Sequence, residues 1–195
     1  VTGEFDASDS ALARRAADGD ERAFSVLVHR HKEGLYRLLR RYTGDADEAY
    51  EAAHEAFIAA WGALRRYDSN RPFGTWLRTI AINKARDRGR RMTVRRFIFG
   101  ANPLDGPEAQ AAADPANPAD RTLIEDEQTR RLTQAISLLP PALRGPLLLT
   151  AFDGHSQQAA AEILRVSVKT IETRVYRAKK LLAASLGDEM RPSAR

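Results

Sequence analysis

Apolar residues recur at steps of three and four along nearly the whole chain. The pattern is interrupted once, by the segment FIFGANPLDGPEAQAAADPANPAD at residues 97–120. That segment holds four of the nine prolines. Proline lacks a backbone donor and restricts the residue before it, so helix and sheet are both disfavoured there. Structureless loops of this length are uncommon inside a compact domain. Residues 100–119 therefore read as a flexible linker, with a surface loop inside one domain as the other reading. Charge follows the same division. Residues 1–96 carry 19 basic and 14 acidic side chains, 97–120 carry none and 4, and 121–195 carry 12 and 8. The expected fold is all-α: two small helical domains, at 1–99 and 120–195, the second a helix-turn-helix.

Several function classes fall away at once. The absence of cysteine excludes a disulfide framework, a thiol nucleophile and a zinc site with Cys ligands. The longest apolar stretch, around Leu147 to Leu149, is far short of the roughly 20 residues of a membrane helix. The start, VTGEFDASDS, is polar and acidic, unlike a secretory or transit signal, so a cytoplasmic protein with no membrane insertion is expected. A pI of about 9.8 makes nucleic acid a reasonable partner.

The helices can be placed individually. Asp9 or Ser10 can cap a first one ending near Gly19, and Asp20 a second, whose apolar stripe runs from Phe24 to Tyr42 and stops at Gly44. A third, from Asp45 to Leu64, is expected to bury Ala49, Ala53, Ala56, Phe57, Ala60 and Trp61. After a turn at Tyr67 to Pro72, a fourth buries Phe73, Trp76, Leu77, Ile80 and Ala81. Past the linker, Ile124 to Leu139, Ala142 to Phe152, Ser156 to Leu164 and Ser167 to Leu186 complete the set. Only Thr93 to Phe99, TVRRFIF, could alternate as a strand.

The last two helices are joined by a three-residue connection, Arg165-Val166-Ser167, the arrangement of a helix-turn-helix reader. Between 165 and 182 there are six basic residues and one acidic. Lys169, Thr173, Arg177 and Lys180 share one face, and Ser167, Thr170 and Arg174 complete the candidate contacts. Early residues of such a helix reach base edges and later cations meet phosphates. An ordinary solvated helix face is the alternative.

The stretch LPPALRGPLLLTAFDGHSQQAAAEILRVSVKTIETRVYRAKKLL resembles region 4 of bacterial sigma factors of the extracytoplasmic-function class. The Leu-Pro-Pro opening, the Gly154-x-Ser156 step and the Val166-Ser167-Val168-x-Thr170-Ile171-x-x-Arg174 run carry the likeness. The resemblance implies recognition of the −35 promoter element. Two positions depart from it. Arg165 stands where the family carries Gly, which would strain a left-handed backbone. Pro146 removes a helical hydrogen bond unless a helix begins there. Glu172 would repel phosphate and is expected to face a base or a neighbouring Arg.

Independently, DADEAYEAAHEAFIAAWGALRRYDSNRPFGTWLRTIAINKARDRGRR resembles region 2 of the same family, through Glu55, Phe57, Trp61, Phe73-x-Thr75-Trp76-Leu77, Ile80-Ala81, Asn83, Asp87 and the Arg90-Arg91 pair. The resemblance implies core RNA polymerase as a partner, bound through Glu51, His54 (where the family carries Gln), Glu55 and Phe57. Glu48, Glu51 and Glu55 are expected to form an acidic stripe opposite the apolar one, the alternative being a plain solvated face, with Phe57 partly core. The family melts the −10 element and holds a flipped base, whose extrusion costs a few kcal/mol. Arg66, Tyr67, Asp68, Ser69 and Asn70 are the implied pocket. Trp76, Arg78, Asn83, Lys84, Arg86, Arg90 and Arg91 are the implied strand and duplex contacts, Trp76 being equally readable as core. Lys84 to Arg96 holds seven basic residues and one acidic, beside aromatic rings, a composition suited to single-stranded nucleic acid.

The linker's acidity argues against its binding DNA. The resemblance implies that it threads the polymerase channel as a charge mimic of the transcript, a solvated tether being the other reading. At about 20 residues it spans up to roughly 66–72 Å, enough to bridge both promoter elements. The family is commonly restrained by an anti-sigma protein, an implied partner. No cofactor, metal, small-molecule substrate or catalytic residue is expected. Glu51-x-x-His54 is one carboxylate–histidine pair where a di-metal site needs two, and His29-x-His31 is isolated. A helix-turn-helix regulator acting without polymerase is the other reading, but it leaves the aromatic and basic fourth helix unexplained.

Overall fold

The computed structural model describes residues 7–99 and 127–188, and every regular element among them is helical. The linker expected at 100–119, and Ile124, lie outside the described residues. Four helices form the first unit: α1 (Asp9–Ala17), α2 (Glu21–Thr43), α3 (Ala46–Ala63) and α4 (Phe73–Phe99). Thr93 to Phe99 lies within α4. The alternation that hinted at a strand loses to continuation of an uninterrupted helical ladder.

The caps explain the boundaries. Ser8, rather than Asp9 or Ser10, caps α1 by accepting the amide of Ala11 at 3.3 Å. Asp9 is thereby freed to take the Arg30 guanidinium at 2.8 Å and the His31 ring at 2.6 Å, fastening α1 to α2. Asp20 and Asp45 cap α2 and α3. Gly44, at φ 81°, ends α2 in the left-handed conformation that favours glycine. The core of this unit is the expected stripe, with Leu27, Leu35, Leu39, Ala49, Ala56, Phe73, Leu77 and Ala81 all buried. Trp61 departs from expectation. It is 37% exposed and lies against Phe24, ring centroids 4.9 Å apart, at the rim.

The second unit holds α5 (Glu127–Leu138), α6 (Pro141–Leu147), a π-helical turn (Leu148–Phe152), α7 (Gln157–Leu164) and α8 (Val168–Asp188). The single helix expected from Ala142 to Phe152 is thus divided. Pro146 sits inside α6 rather than at its start. Having no N–H, it leaves a ladder bond unmade, and the chain widens into the π turn two residues on. The Thr150 hydroxyl donates back to the Pro146 carbonyl at 2.8 Å. Ile136, Leu147 to Leu149, Ile163, Ile171 and Ala178 form this unit's core.

The two units pack against each other. The Arg144 guanidinium donates to the Tyr42 carbonyl at 2.9 Å and lies over the Tyr42 ring at 5.5 Å. Burial pushes the Arg144 pKa down, opposed by Tyr42. Arg41 covers the Phe152 ring at 5.4 Å. A Cβ built on Gly44 would lie 2.5 Å from the Cβ and Oγ of Ser137, so the backbones approach where only glycine fits.

Candidate nucleic-acid interface

The outward face of α3 is less acidic than its sequence suggests. Glu51 and His54 are exposed, as expected. Glu55 and Phe57 are half-buried. Glu48 and Glu55 turn toward α4 and grip Arg88, at 2.9 and 2.6 Å, and Lys84 reaches Glu55 at 3.7 Å. The hydrogen bond to Glu48 is the largest influence raising the Arg88 pKa. The stripe expected to run opposite the apolar face is therefore split: Glu51 looks outward while its neighbours hold α3 and α4 together. What replaces it is apolar. Tyr50 is 62% and Ile58 60% exposed. With His54 and Trp61 they form a file at steps of four, four and three. Sequence reasoning missed Tyr50 and Ile58 because it followed the buried stripe and the carboxylates.

The turn between α3 and α4 is built, not slack. A short 3-10 turn (Leu64–Arg66) leads into it. Asp68 accepts the backbone N–H and side-chain amide of Asn70, both at 3.0 Å, an Asx arrangement that fixes the bend. The Tyr67 hydroxyl donates to the Arg71 carbonyl. The Tyr67 ring meets Phe73 edge-on at 5.6 Å and Trp76 at 5.0 Å. Burial, with the charges of Asp9 and Asp68, raises the Tyr67 pKa, so the phenol stays neutral and can donate. Arg66, Asp68, Ser69 and Asn70 are exposed, and Tyr67 and Trp76 are half-buried against the Phe73 core.

Along α4, Asn83, Arg86, Arg90 and Arg91 point to solvent, with Arg90 paired to Asp87 at 3.2 Å. Two further cations named from the sequence have protein partners. Lys84 reaches Glu55. Arg78 meets Asp153 of the second unit.

The helix-turn-helix stands on α7 and α8. Ser156 caps α7. At its far end Val166 N–H bonds the Ala161 carbonyl at 3.0 Å and Arg165 N–H the Glu162 carbonyl at 3.3 Å, a Schellman pair that forces Arg165 to φ 53°. The strained left-handed residue anticipated from the sequence is present. Ser167 caps α8, and its hydroxyl also meets that of Thr170 at 2.8 Å. Thr173 donates to the Lys169 carbonyl. Lys169, Arg177 and Lys180 are exposed and Arg174 is half-buried. Glu172 was expected to face a base or an Arg. It pairs instead with Lys169 at 3.6 Å, one helical turn away. Tyr176, 70% exposed between Thr173 and Lys180 on this face, escaped a reading that counted only charge and hydroxyls.

Among the described residues no group of His, Asp and Glu converges on a metal position, and no helix is long and apolar enough to cross a membrane.

Known proteins match this arrangement in both halves. The family model for sigma-70 region 2 matches residues 27–95, and that for sigma-70 region 4 matches residues 129–182. RNA polymerase sigma factor NccH of Alcaligenes xylosoxydans is 38% identical over 178 residues, 91% of this chain and 94% of NccH. The ECF RNA polymerase sigma factor SigW of Bacillus subtilis is 32% identical over 180 residues, covering 90% of this chain and 95% of SigW. The solved structure of CnrH with the cytosolic domain of CnrY superposes with a TM-score of 0.67 at 32% identity, over 92% of this chain and 97% of that one. With both regions present, in order, and relatives matched along nearly their full length, this chain belongs to the extracytoplasmic-function sigma factors.

Proposed function

We propose that the chain docks on core RNA polymerase through the outward face of α3 and lends it promoter recognition through two separate surfaces. Glu51, His54 and the exposed part of Phe57 supply the polymerase contact, with Tyr50 and Ile58 beside them and Glu55 holding the helix in register through Arg88. The turn from Arg66 to Asn70 takes a base extruded from the −10 element, while Asn83, Arg86, Arg90 and Arg91 track the strand and duplex beyond it. Trp76 supports the turn from below rather than stacking on DNA. Lys169, Thr170, Thr173, Arg174, Tyr176, Arg177 and Lys180 face the −35 element, with Ser167 anchoring the helix start. Residues 100–119 tether the two readers. The protein acts in the cell interior as an initiation factor and carries no catalysis of its own. CnrH is known in complex with the cytosolic domain of CnrY, and an anti-sigma protein is the proposed restraint here too.

The observation that carries this reading is the turn at Tyr67 to Asn70. It presents polar side chains at its rim, an aromatic floor beneath and a cationic helix leaving it, which is what capture of an unpaired base requires. A regulator that reads only duplex DNA has no use for it. Run-off transcription with purified core polymerase on a genomic library tests the proposal. Initiation from a discrete promoter set is expected, and Lys169→Ala with Arg177→Ala should lower it and flatten its dependence on salt by about two counterions. A chain that never associates with core polymerase and directs no initiation overturns it.

A further inference from the structure

Glu172 is the one acidic side chain among six basic ones between 165 and 182. A carboxylate on a helix that faces DNA opposes attachment to phosphate, so it weakens binding unless it reads something that a cation or a hydroxyl cannot. The hydrogen bonds at the head of α8 narrow the choice. The Ser167 hydroxyl accepts the Thr170 amide at 3.2 Å and bonds the Thr170 hydroxyl at 2.8 Å. The Thr173 hydroxyl donates to the Lys169 carbonyl at 2.9 Å. These hydroxyls are engaged in holding the helix start. Lys169 and Glu172 are not. Their side chains are 87% and 46% exposed, and Nζ stands 3.6 Å from Oε2, paired by charge but too far for a hydrogen bond. An ammonium has donors only and an ionised carboxylate acceptors only. The two ends therefore present a donor and an acceptor side by side near the N-terminal end of the reading helix.

In the major groove a G·C pair offers guanine O6 and N7 as acceptors and cytosine N4 as a donor. O6 and N4 are hydrogen-bonded to each other, about 2.9 Å apart, close to the spacing of the Lys169 and Glu172 ends. An A·T pair also sets a donor beside an acceptor, but its donor, adenine N6, lies next to N7, whose lone pair repels a carboxylate. At G·C the ammonium meets two acceptors, and the carboxylate meets a donor flanked by the apolar C5 edge. From this we infer that Glu172 is a specificity-determining residue, accepting from cytosine N4 while Lys169 donates to the guanine of the same base pair. The inference rests on the promoter-reading role proposed for α8 and names one base pair of its target. Arg177 and Lys180, exposed further along the helix, supply the attraction to phosphate that Glu172 opposes. Lys169 keeps its charge against the backbone from within the groove, so its loss still flattens the salt dependence. Glu172 thus lowers affinity for every sequence that lacks the pair, which is discrimination by penalty as well as by contact.

The test is a binding selection with the full chain on a random-sequence duplex library, read by sequencing, followed by dissociation constants for selected and unselected duplexes. The parent should enrich sites in which one position is G·C, favoured about tenfold over any other pair. Glu172→Ala should erase the preference at that position alone and bind duplexes lacking the pair more tightly than the parent does. Glu172→Gln should move the preference toward adenine, whose N6 and N7 a glutamine amide engages together. Lys169→Ala should weaken the same position and no other. A Glu172→Ala profile that matches the parent at every position overturns the inference, as does a uniform loss of affinity with the profile kept, or a parent chain that enriches no duplex. The selection contains no polymerase. A chain that selects the pair yet directs no run-off transcription with core polymerase therefore refutes the promoter role and not the base reading.

Discussion

Arg165 offers a clean test of the reasoning about backbone geometry. It is the one described non-glycine residue with positive φ, at φ 53° and ψ 49°, and the Schellman bonds from Arg165 and Val166 leave it no alternative. A left-handed conformation costs an L-residue about 1–2 kcal/mol. Replacing it by Gly removes that cost and returns about 0.4–1 kcal/mol to the unfolded chain as entropy. Arg165→Gly should therefore stabilise by about 0.5–1 kcal/mol. For a chain of this size that is a rise in Tm of about 1–4 °C. The Arg165 side chain is exposed, so its loss removes no packing. Arg165→Ala is the control: it deletes the same charge and stem but keeps the strain, and should leave Tm nearly unchanged. Thermal unfolding followed by circular dichroism reads both. Equal effects of Gly and Ala, or destabilisation by Gly, would show that the strain is not stored at this residue and that the turn owes its shape to something else.

Two further outcomes follow from charges inside the structure. Arg88→Met breaks the bridge from Glu48 and Glu55 to α4 while keeping much of the stem. Because these groups are partly exposed, the loss should be only about 0.5–1.5 kcal/mol. It should shrink in 1 M salt, where the screening length is about 3 Å, so an equal loss in urea unfolding at low and high salt would contradict it. The His155 ring is half-buried beside the joint, its Nε2 3.2 Å from a carboxylate oxygen of Asp153. Burial, then the Arg78 charge, holds its pKa below the usual histidine value, against the opposing pull of Asp153. A depressed histidine pKa means that the packed arrangement of the two units is favoured by the neutral ring. Its contribution is complete above about pH 6.5 and is lost as pH falls through the depressed value. Small-angle scattering should therefore show the chain expanding on acidification from pH 7.5 to 5.5, less so in His155→Gln.

The helices were legible because their signals are local. Asp20, Asp45, Ser156 and Ser167 each cap the helix that their position before an apolar stripe announced. The strain at Arg165 was legible too, because the resemblance to region 4 puts a glycine at that position of the turn. Three features were not. Pro146 gave warning of a broken ladder, but whether a helix starts at a proline or deforms after it depends on packing. The apparent acidic stripe on α3 dissolved because helical spacing says which residues share a face, not which partner stands opposite. Arg88, 33 residues beyond Glu55, supplies that partner. The joint between the units was invisible for the same reason. Arg78 and Asp153 are 75 positions apart, and each alone reads as a solvated charge.

The joint mixes polar and apolar contact: guanidinium groups bridge the units, and buried apolar residues of both belong to one hydrophobic core. Arg144 is held by carbonyls of both units, Leu139 at 2.7 Å and Tyr42 at 2.9 Å, yet its burial lowers its pKa, a sign that the docked charge still feels the loss of water. The Tyr42 hydroxyl is buried with no hydrogen-bond partner. Opening would expose such groups to solvent and so recover part of what closing costs. Burying an ion pair returns little net energy against well-solvated ions.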